Sequence, residues 1–164
     1  MRVNARCFRT PNRPWKSGTE LSTSQIATSG PVSFDGEIAI AAKGTDLTAK
    51  EFWCPGSTLK IKVDNTNPVA VGMPQDALAV YLMGNPAFIL TPTAHNERYE
   101  IIAHYANRDL LESGWLVGEG TLARTGGVVV AHMGVGKIVL IGFRTQHRAQ
   151  TYGTFKFLFN NLID

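Results

Sequence analysis

The residues best suited to chemistry lie in one polar stretch, Arg144, Gln146, His147 and Arg148, between the apolar run GKIVLIGF and the aromatic run TYGTFKFLFNN. A histidine can carry protons near neutral pH, and two guanidiniums beside an amide can hold an anion. The stretch follows the carboxyl end of a strand, where ligands gather in α/β sheets. An Asp, Ser or Cys, the usual partners of a catalytic histidine, is absent from the immediate neighbourhood. Two readings therefore stand side by side: a ligand-holding or catalytic turn, and a structural loop whose Arg and Gln side chains tie strand to helix through backbone carbonyls.

A second candidate is Cys54 in FWCPGS, the place where a cysteine nucleophile could sit. Such a thiol needs a base or a helix N-terminus to lower its pKa. Pro55 and Gly56 instead predict a tight turn feeding the next strand, with Trp53 packed beneath it. The histidines His95, His104, His132 and His147 are widely spaced and have no ligand at metal-binding intervals, so no metal site and no cofactor is expected. His104 and His132 fall inside strand patterns, as satisfied or surface imidazoles. Phosphate-loop, dinucleotide and nucleophile-elbow motifs are missing.

The elements that must position these residues are mostly strands. EIAIA alternates, and DLTAKEF reads as one helical turn behind Asp46. STLKIKVD sets Leu59, Ile61 and Val63 against Lys60 and Lys62, the period of a strand with one wet face. NTNPVAVGMPQD is a loop or short helix. ALAVYLM reads as a doubly buried strand, and PAFIL and YEIIAHYA follow as strands. RDLLESGWLVGEGTLA combines a turn with a short helix. GGVVVAHMG and GKIVLIGF form a hairpin through Met133 to Gly136. Phe155, Leu158, Phe159 and Leu162 recur at helical spacing, which predicts a C-terminal helix laying its phenylalanines on a sheet. Strands outnumber helices, so the expected fold is α/β or α+β with a mixed sheet.

With 164 residues, 44% hydrophobic and 18% charged, the chain is of a size and composition for one globular domain. Residues 1–35 read as an irregular, basic N-terminal arm carrying Arg2, Arg6, Arg9, Arg13 and Lys16, and residues 36–164 as the folded domain. A solvated arm is the simpler reading of that charge, and nucleic-acid binding is not expected of it. No apolar run is long enough to span a membrane, and no secretory leader is evident. Cys7 and Cys54 read as free thiols of a reducing compartment, which makes the cytoplasm the expected location.

Three stretches carry a family resemblance: EFWCPGSTLKIKVDNTNPVAVGMP, LLESGWLVGE and GKIVLIGFRTQHRAQTYGTFKFLFNNLI. On them, residues 36–164 resemble the C-terminal, glutamine-amidotransferase-like domain of bacterial M14 zinc-carboxypeptidase-like proteins. The resemblance implies the back portion of a class I amidotransferase-like, flavodoxin-like α/β sheet with the C-terminal helix packed on it. The zinc-binding peptidase domain and the cysteine elbow of active relatives have no counterpart, so the chain is expected to be a fragment of a larger protein. Where active amidotransferases carry Phe-His-Pro-Glu, this sequence has Phe143-Arg144-Thr145-Gln146. Arginine cannot act as a general base and glutamine cannot supply the orienting negative charge.

The expected function is therefore a degenerate, non-catalytic module for binding or assembly, with Arg144, Gln146 and Arg148 holding an anionic small molecule. The rival is a small hydrolase that uses Cys54 or His147. A flavodoxin-like sheet without its first strands would leave an open edge, so a homo-oligomer, most simply a dimer, is also expected.

Overall fold

The architecture is set by two runs of apolar residues that turn back on each other. In this computed structural model, residues 32–34, 37–43, 48–92, 94, 98–133 and 135–163 are described. The hairpin of β8 (Gly126–Met133) and β9 (Gly136–Ile141) pairs Val128 with Ile141 and Met133 with Gly136. Along β8, Val128 and Val130 enter the main core, while Val129 and Ala131 join Ile40 and Phe88 in a second cluster. Both faces of the strand are thus covered, which explains why its sequence runs apolar without alternating.

The remaining strands are β1 (Val32–Phe34), β2 (Glu37–Lys43), β3 (Ser57–Val63), β4 (Asp76–Tyr81), β5 (Ala87–Leu90), β6 (Tyr99–Tyr105) and β7 (Leu111–Ser113). They make one sheet in the order β1-β2-β5-β8-β6-β3-β4, with β7 added to β3 and β9 to β8. β1 occupies residues that the sequence reads as the end of the irregular arm, and the rest of the arm lies outside the described residues.

Every pairing among the described residues is antiparallel, where the sequence predicts a mixed sheet. Parallel neighbours need long crossovers, usually helical. Among the described residues the only α-helix is α1 (Phe155–Ile163), which follows the last strand. A strand-rich sheet with a C-terminal helix is therefore present, without the parallel βαβ units that a flavodoxin-like sheet contains.

The sheet also bends back on itself. Past the end of β9, the Arg144 amide donates to the Val80 carbonyl at 3.0 Å, bridging the chain to β4 at the far side of the sheet. Phe52, Leu59, Ile61, Tyr81, Tyr105 and Phe157 fill the enclosed core. Its rings meet edge to face, Phe52–Tyr81 at 5.8 Å, Tyr81–Tyr105 at 5.9 Å and Phe143–Phe157 at 5.8 Å, an arrangement that adds to simple area burial.

Other expectations need correcting. β4 is doubly buried only over Ala79–Tyr81, because Asp76 and Leu78 lie toward the open end of the strand. The single helical turn before Cys54 is present, but the residue that caps it is Thr48. Its backbone N and Oγ1 both donate to Glu51, and the Phe52 amide closes the turn onto the Thr48 carbonyl at 3.0 Å; Asp46 lies outside the described residues. The helix expected in RDLLESGWLVGEGTLA is instead β7 followed by a 3-10 turn at Glu119–Thr121. Gly114 and Gly118 both have positive φ there, which breaks the helical path.

The face of α1 also differs. The sequence predicts burial of Phe155, Leu158, Phe159 and Leu162, yet Phe157 is the fully buried residue, and Phe159 and Leu162 remain about half exposed. The helix is turned by its polar contacts. Asn160 donates to the carbonyls of Val69 and Val71, both at 3.1 Å, and Lys156 donates to that of Gly72. These carbonyls belong to the loop around the 3-10 turn Pro68–Ala70, which Asn67 caps by accepting from the Val69 amide at 3.0 Å.

Candidate functional site

Cys54 lies at the foot of β3, just before the Pro55-Gly56 turn. It is fully buried. Its thiol points to the Tyr81 carbonyl at 3.7 Å, and its amide donates to the Met83 sulfur at 3.3 Å. Burial pushes the thiol pKa up, outweighing the hydrogen bonds with Ser57 and Gly56 that act the other way. A nucleophilic cysteine needs the opposite shift together with access to substrate. Trp53, expected beneath the turn, is instead partly exposed, and Phe52 takes the inward place. This follows from strand alternation, with 52 and 54 pointing in and 53 pointing out.

Around Cys54 the core holds two more titratable groups. Tyr81 donates its hydroxyl to the Asn85 carbonyl. The Tyr105 hydroxyl is buried without a hydrogen-bond partner, as is the Asn85 amide nitrogen. Burial raises both tyrosine pKa values well above the usual range. This cluster is buried, and among the described residues no histidine or carboxylate makes a hydrogen bond to the thiol.

The terminal turn has a different character. Arg144, Gln146 and Arg148 are exposed and His147 is half-buried. Among the described residues the four side chains make no hydrogen bond or ion pair. By contrast, the exposed lysines of β3 are matched: Lys60 lies 3.5 Å from Glu112, and Lys62 pairs with Asp76.

The turn is locked by threonines, not by the Arg and Gln side chains that the sequence suggests. The buried Thr154 hydroxyl stands 2.8 Å from the Thr145 carbonyl, 2.7 Å from that of Thr151 and 2.9 Å from the Thr151 hydroxyl. The backbone helps to present the cations, because Arg148 and Ala149 have φ of 49° and 54°. Two successive left-handed residues, neither of them glycine, cost roughly 1–2 kcal/mol each. The placement rule for α/β strand ends does not apply here, since the sheet around β9 is antiparallel.

Cys54 and His147 are not brought together by any hydrogen bond among the described residues, and no group of three or more His, Cys, Asp or Glu there could hold a metal ion. His132 faces Glu100 at 3.4 Å on the exposed sheet surface. His104 sits half-buried in β6, and His95 lies outside the described residues.

Sequence reasoning missed a clasp between the first two motif stretches. Trp53 and Val117 exchange backbone hydrogen bonds at 3.1 and 2.9 Å. Ser57, buried, accepts from the Trp115 amide at 2.8 Å and donates to the Trp115 carbonyl at 2.7 Å. A side chain at Gly118 would overlap the Glu51 carbonyl. The glycines at 114 and 118 are the local signal for this close approach, but neither names its partner.

No protein family, curated protein or solved structure matches this chain. Among the described residues, no helix is long and apolar enough to cross a membrane.

Proposed function

We propose that this chain is a non-catalytic module that works by binding and assembly, its ligand contact being an anion held by Arg144, Gln146 and Arg148. The observation that carries the reading is the contrast between its two candidate centres. The thiol of Cys54 is sealed in the core with its pKa raised by burial, whereas the cations of the terminal turn are exposed and make no ion pair among the described residues. A thiol kept protonated and out of reach does not suit hydrolysis. Unpaired guanidiniums suit carboxylate or phosphate recognition.

The amidotransferase-like kinship, and with it descent from a larger carboxypeptidase-like protein, enters this proposal through the three sequence stretches alone. A flavodoxin-like sheet would require parallel pairings, which the described residues do not contain. A reducing, cytoplasmic setting is part of the same proposal and accords with the free thiol of Cys54.

The test has two arms. Titration with inorganic phosphate, followed by NMR, should perturb the resonances of Arg144 to Arg148, and Arg144→Ala with Arg148→Ala should abolish the response. Assays with activated esters and phosphoesters should show no turnover dependent on Cys54 or His147. Hydrolysis that disappears in Cys54→Ala or His147→Ala would establish the enzyme reading instead.

A further inference from the structure

The cations of the terminal turn share a junction with an exposed ring. The Thr154 hydroxyl stands 2.8 Å from the Thr145 carbonyl and 2.9 Å from the Thr151 hydroxyl, so the two ends of the turn meet at one point. Arg144 and Gln146 flank Thr145, and Tyr152 follows Thr151. Each is one residue from that point, and successive Cα atoms stand about 3.8 Å apart. The left-handed pair Arg148 and Ala149 lies in the loop that closes there.

Tyr152 is 74% exposed, and its ring meets that of Phe155 edge to face at 6.0 Å. Among the described residues its hydroxyl makes no hydrogen bond. The ring is therefore oriented by a neighbour while most of it stays open to solvent.

The electrostatic setting is one-sided. Residues 120–163 include Arg124, Lys137, Arg144, Arg148 and Lys156 and no Asp or Glu, until Asp164 follows. Arg144 is bridged to Val80, whose neighbours on the same side of the sheet are Thr58 across the ladder and Leu78 along the strand, both uncharged. The carboxylates of β4, β7 and the loop after β3 have partners of their own. Asp76 pairs with Lys62, Glu112 lies 3.5 Å from Lys60, and Asp64 accepts from the Thr66 hydroxyl at 2.6 Å.

Forked guanidinium N–H groups match phosphate oxygens, an amide supplies both a donor and an acceptor, and an open ring is a platform for a flat base. A simple inorganic anion uses the first of these features, whereas a nucleotide uses all three.

We propose that the anion of this turn is the phosphate of a nucleotide unit, held by Arg144 and Arg148, with Gln146 as a hydrogen-bonding partner and the base stacked on Tyr152. The inference rests on the anion reading given above and names its ligand class. The same chemistry is offered by a free mononucleotide and by single-stranded nucleic acid, whose unpaired bases are open to stacking.

The probes are AMP, ribose phosphate and a fluorescein-labelled single strand of oligodeoxyadenylate, each added to the full chain. AMP should bind more tightly than ribose phosphate by roughly five- to hundredfold, the worth of one base–aromatic stack. It should shift the NMR signals of residues 144–148 and of the Tyr152 ring together. Tyr152→Ala should bring AMP down to the affinity of ribose phosphate, and Tyr152→Phe, which keeps the ring, should retain the difference. Position 152 is exposed, so neither change threatens the fold. Arg144→Ala with Arg148→Ala should abolish binding of both small ligands.

The labelled strand separates the two sources. Binding tighter than that of AMP, and weakening steeply as salt rises, assigns the site to single strands; binding no tighter assigns it to free nucleotides. Equal affinities for AMP and ribose phosphate, or an AMP affinity untouched by Tyr152→Ala, overturn the proposal and leave the anion-binding turn standing. No response to either small ligand overturns both readings.

Discussion

The amide of Arg144 donates to the carbonyl of Val80 at 3.0 Å while its side chain is exposed and makes no ion pair among the described residues. One residue thus has two separable roles, a backbone that closes the sheet and a side chain free for a ligand. Arg144→Ala should leave stability within about 0.5 kcal/mol of wild type, as exposed, unpartnered side chains do. Arg144→Pro removes the donor and should cost about 1–3 kcal/mol by leaving the Val80 carbonyl without its partner. Urea unfolding of the two variants tests this, and equal losses would refute the division of roles.

The two core tyrosines should respond oppositely to loss of their hydroxyls. Tyr105→Phe removes a buried hydroxyl that has no partner and is expected to stabilise by up to about 1 kcal/mol. Tyr81→Phe removes a hydrogen bond to Asn85 and should destabilise by about 1 kcal/mol. Parallel denaturant curves give the sign of each.

Alkaline pH should unfold the protein through the same cluster. Burial raises the folded pKa of Cys54 above 9.0 and those of Tyr81 and Tyr105 above 10.0. Between its unfolded and folded pKa values, each group binds more protons in the native state, so stability falls as pH rises. The contribution is complete below about pH 9 and is lost progressively above pH 9 to 10. Melting temperature measured from pH 7 to 11 should decline at the alkaline end, and the decline should be shallower in Tyr105→Phe.

Gly118 stands where the clasp is tightest. It has a φ of 76°, and an added Cβ would overlap the Glu51 carbonyl. Gly118→Ala should therefore cost about 3 kcal/mol or more, combining backbone strain with a clash that only backbone movement relieves. Gly120→Ala, two residues on, meets no atom within 4 Å and should be nearly neutral. Thermal unfolding of the pair distinguishes a local steric requirement from general sensitivity of the loop.

The left-handed pair of the terminal turn leaves room for improvement. Ala149 has a φ of 54°, which glycine adopts without penalty. Ala149→Gly should stabilise by about 0.5–1 kcal/mol, the relief of strain exceeding the added chain entropy of glycine. A lower midpoint in urea would show that the turn is held at no cost.

Much of the sheet is legible in the sequence because its signals are local. Alternation marks β3, and two β-branched runs around a glycine-bearing turn mark the β8–β9 hairpin. The face of α1 is not legible. Its spacing points to Phe155, Phe159 and Leu162, but its orientation is decided by Asn160 and Lys156 reaching carbonyls far back in the chain.

The same holds for the candidate site. Proline and glycine after Cys54 announce a structural turn, and the absence of a base in FWCPGS is visible at once. Exposure of Trp53, the locking role of Thr154 and the left-handed Arg148 are not announced. The first two depend on contacts with Val117 and Thr145, whose pairings no local pattern encodes. Antiparallel closure through Arg144 and Val80 is a backbone event, so side-chain patterns carry no trace of it.

The clamp that Asn160 places on Val69 and Val71 spans 91 and 89 residues of chain. During translation at roughly 5–20 residues per second, the 68–72 loop must therefore wait on the order of 5–20 s for the helix that fastens it. For most of that interval Phe143 and Phe157 have not yet joined the nascent core, so the loop and its neighbours stay open until one asparagine, near the very end of the chain, finds its acceptors.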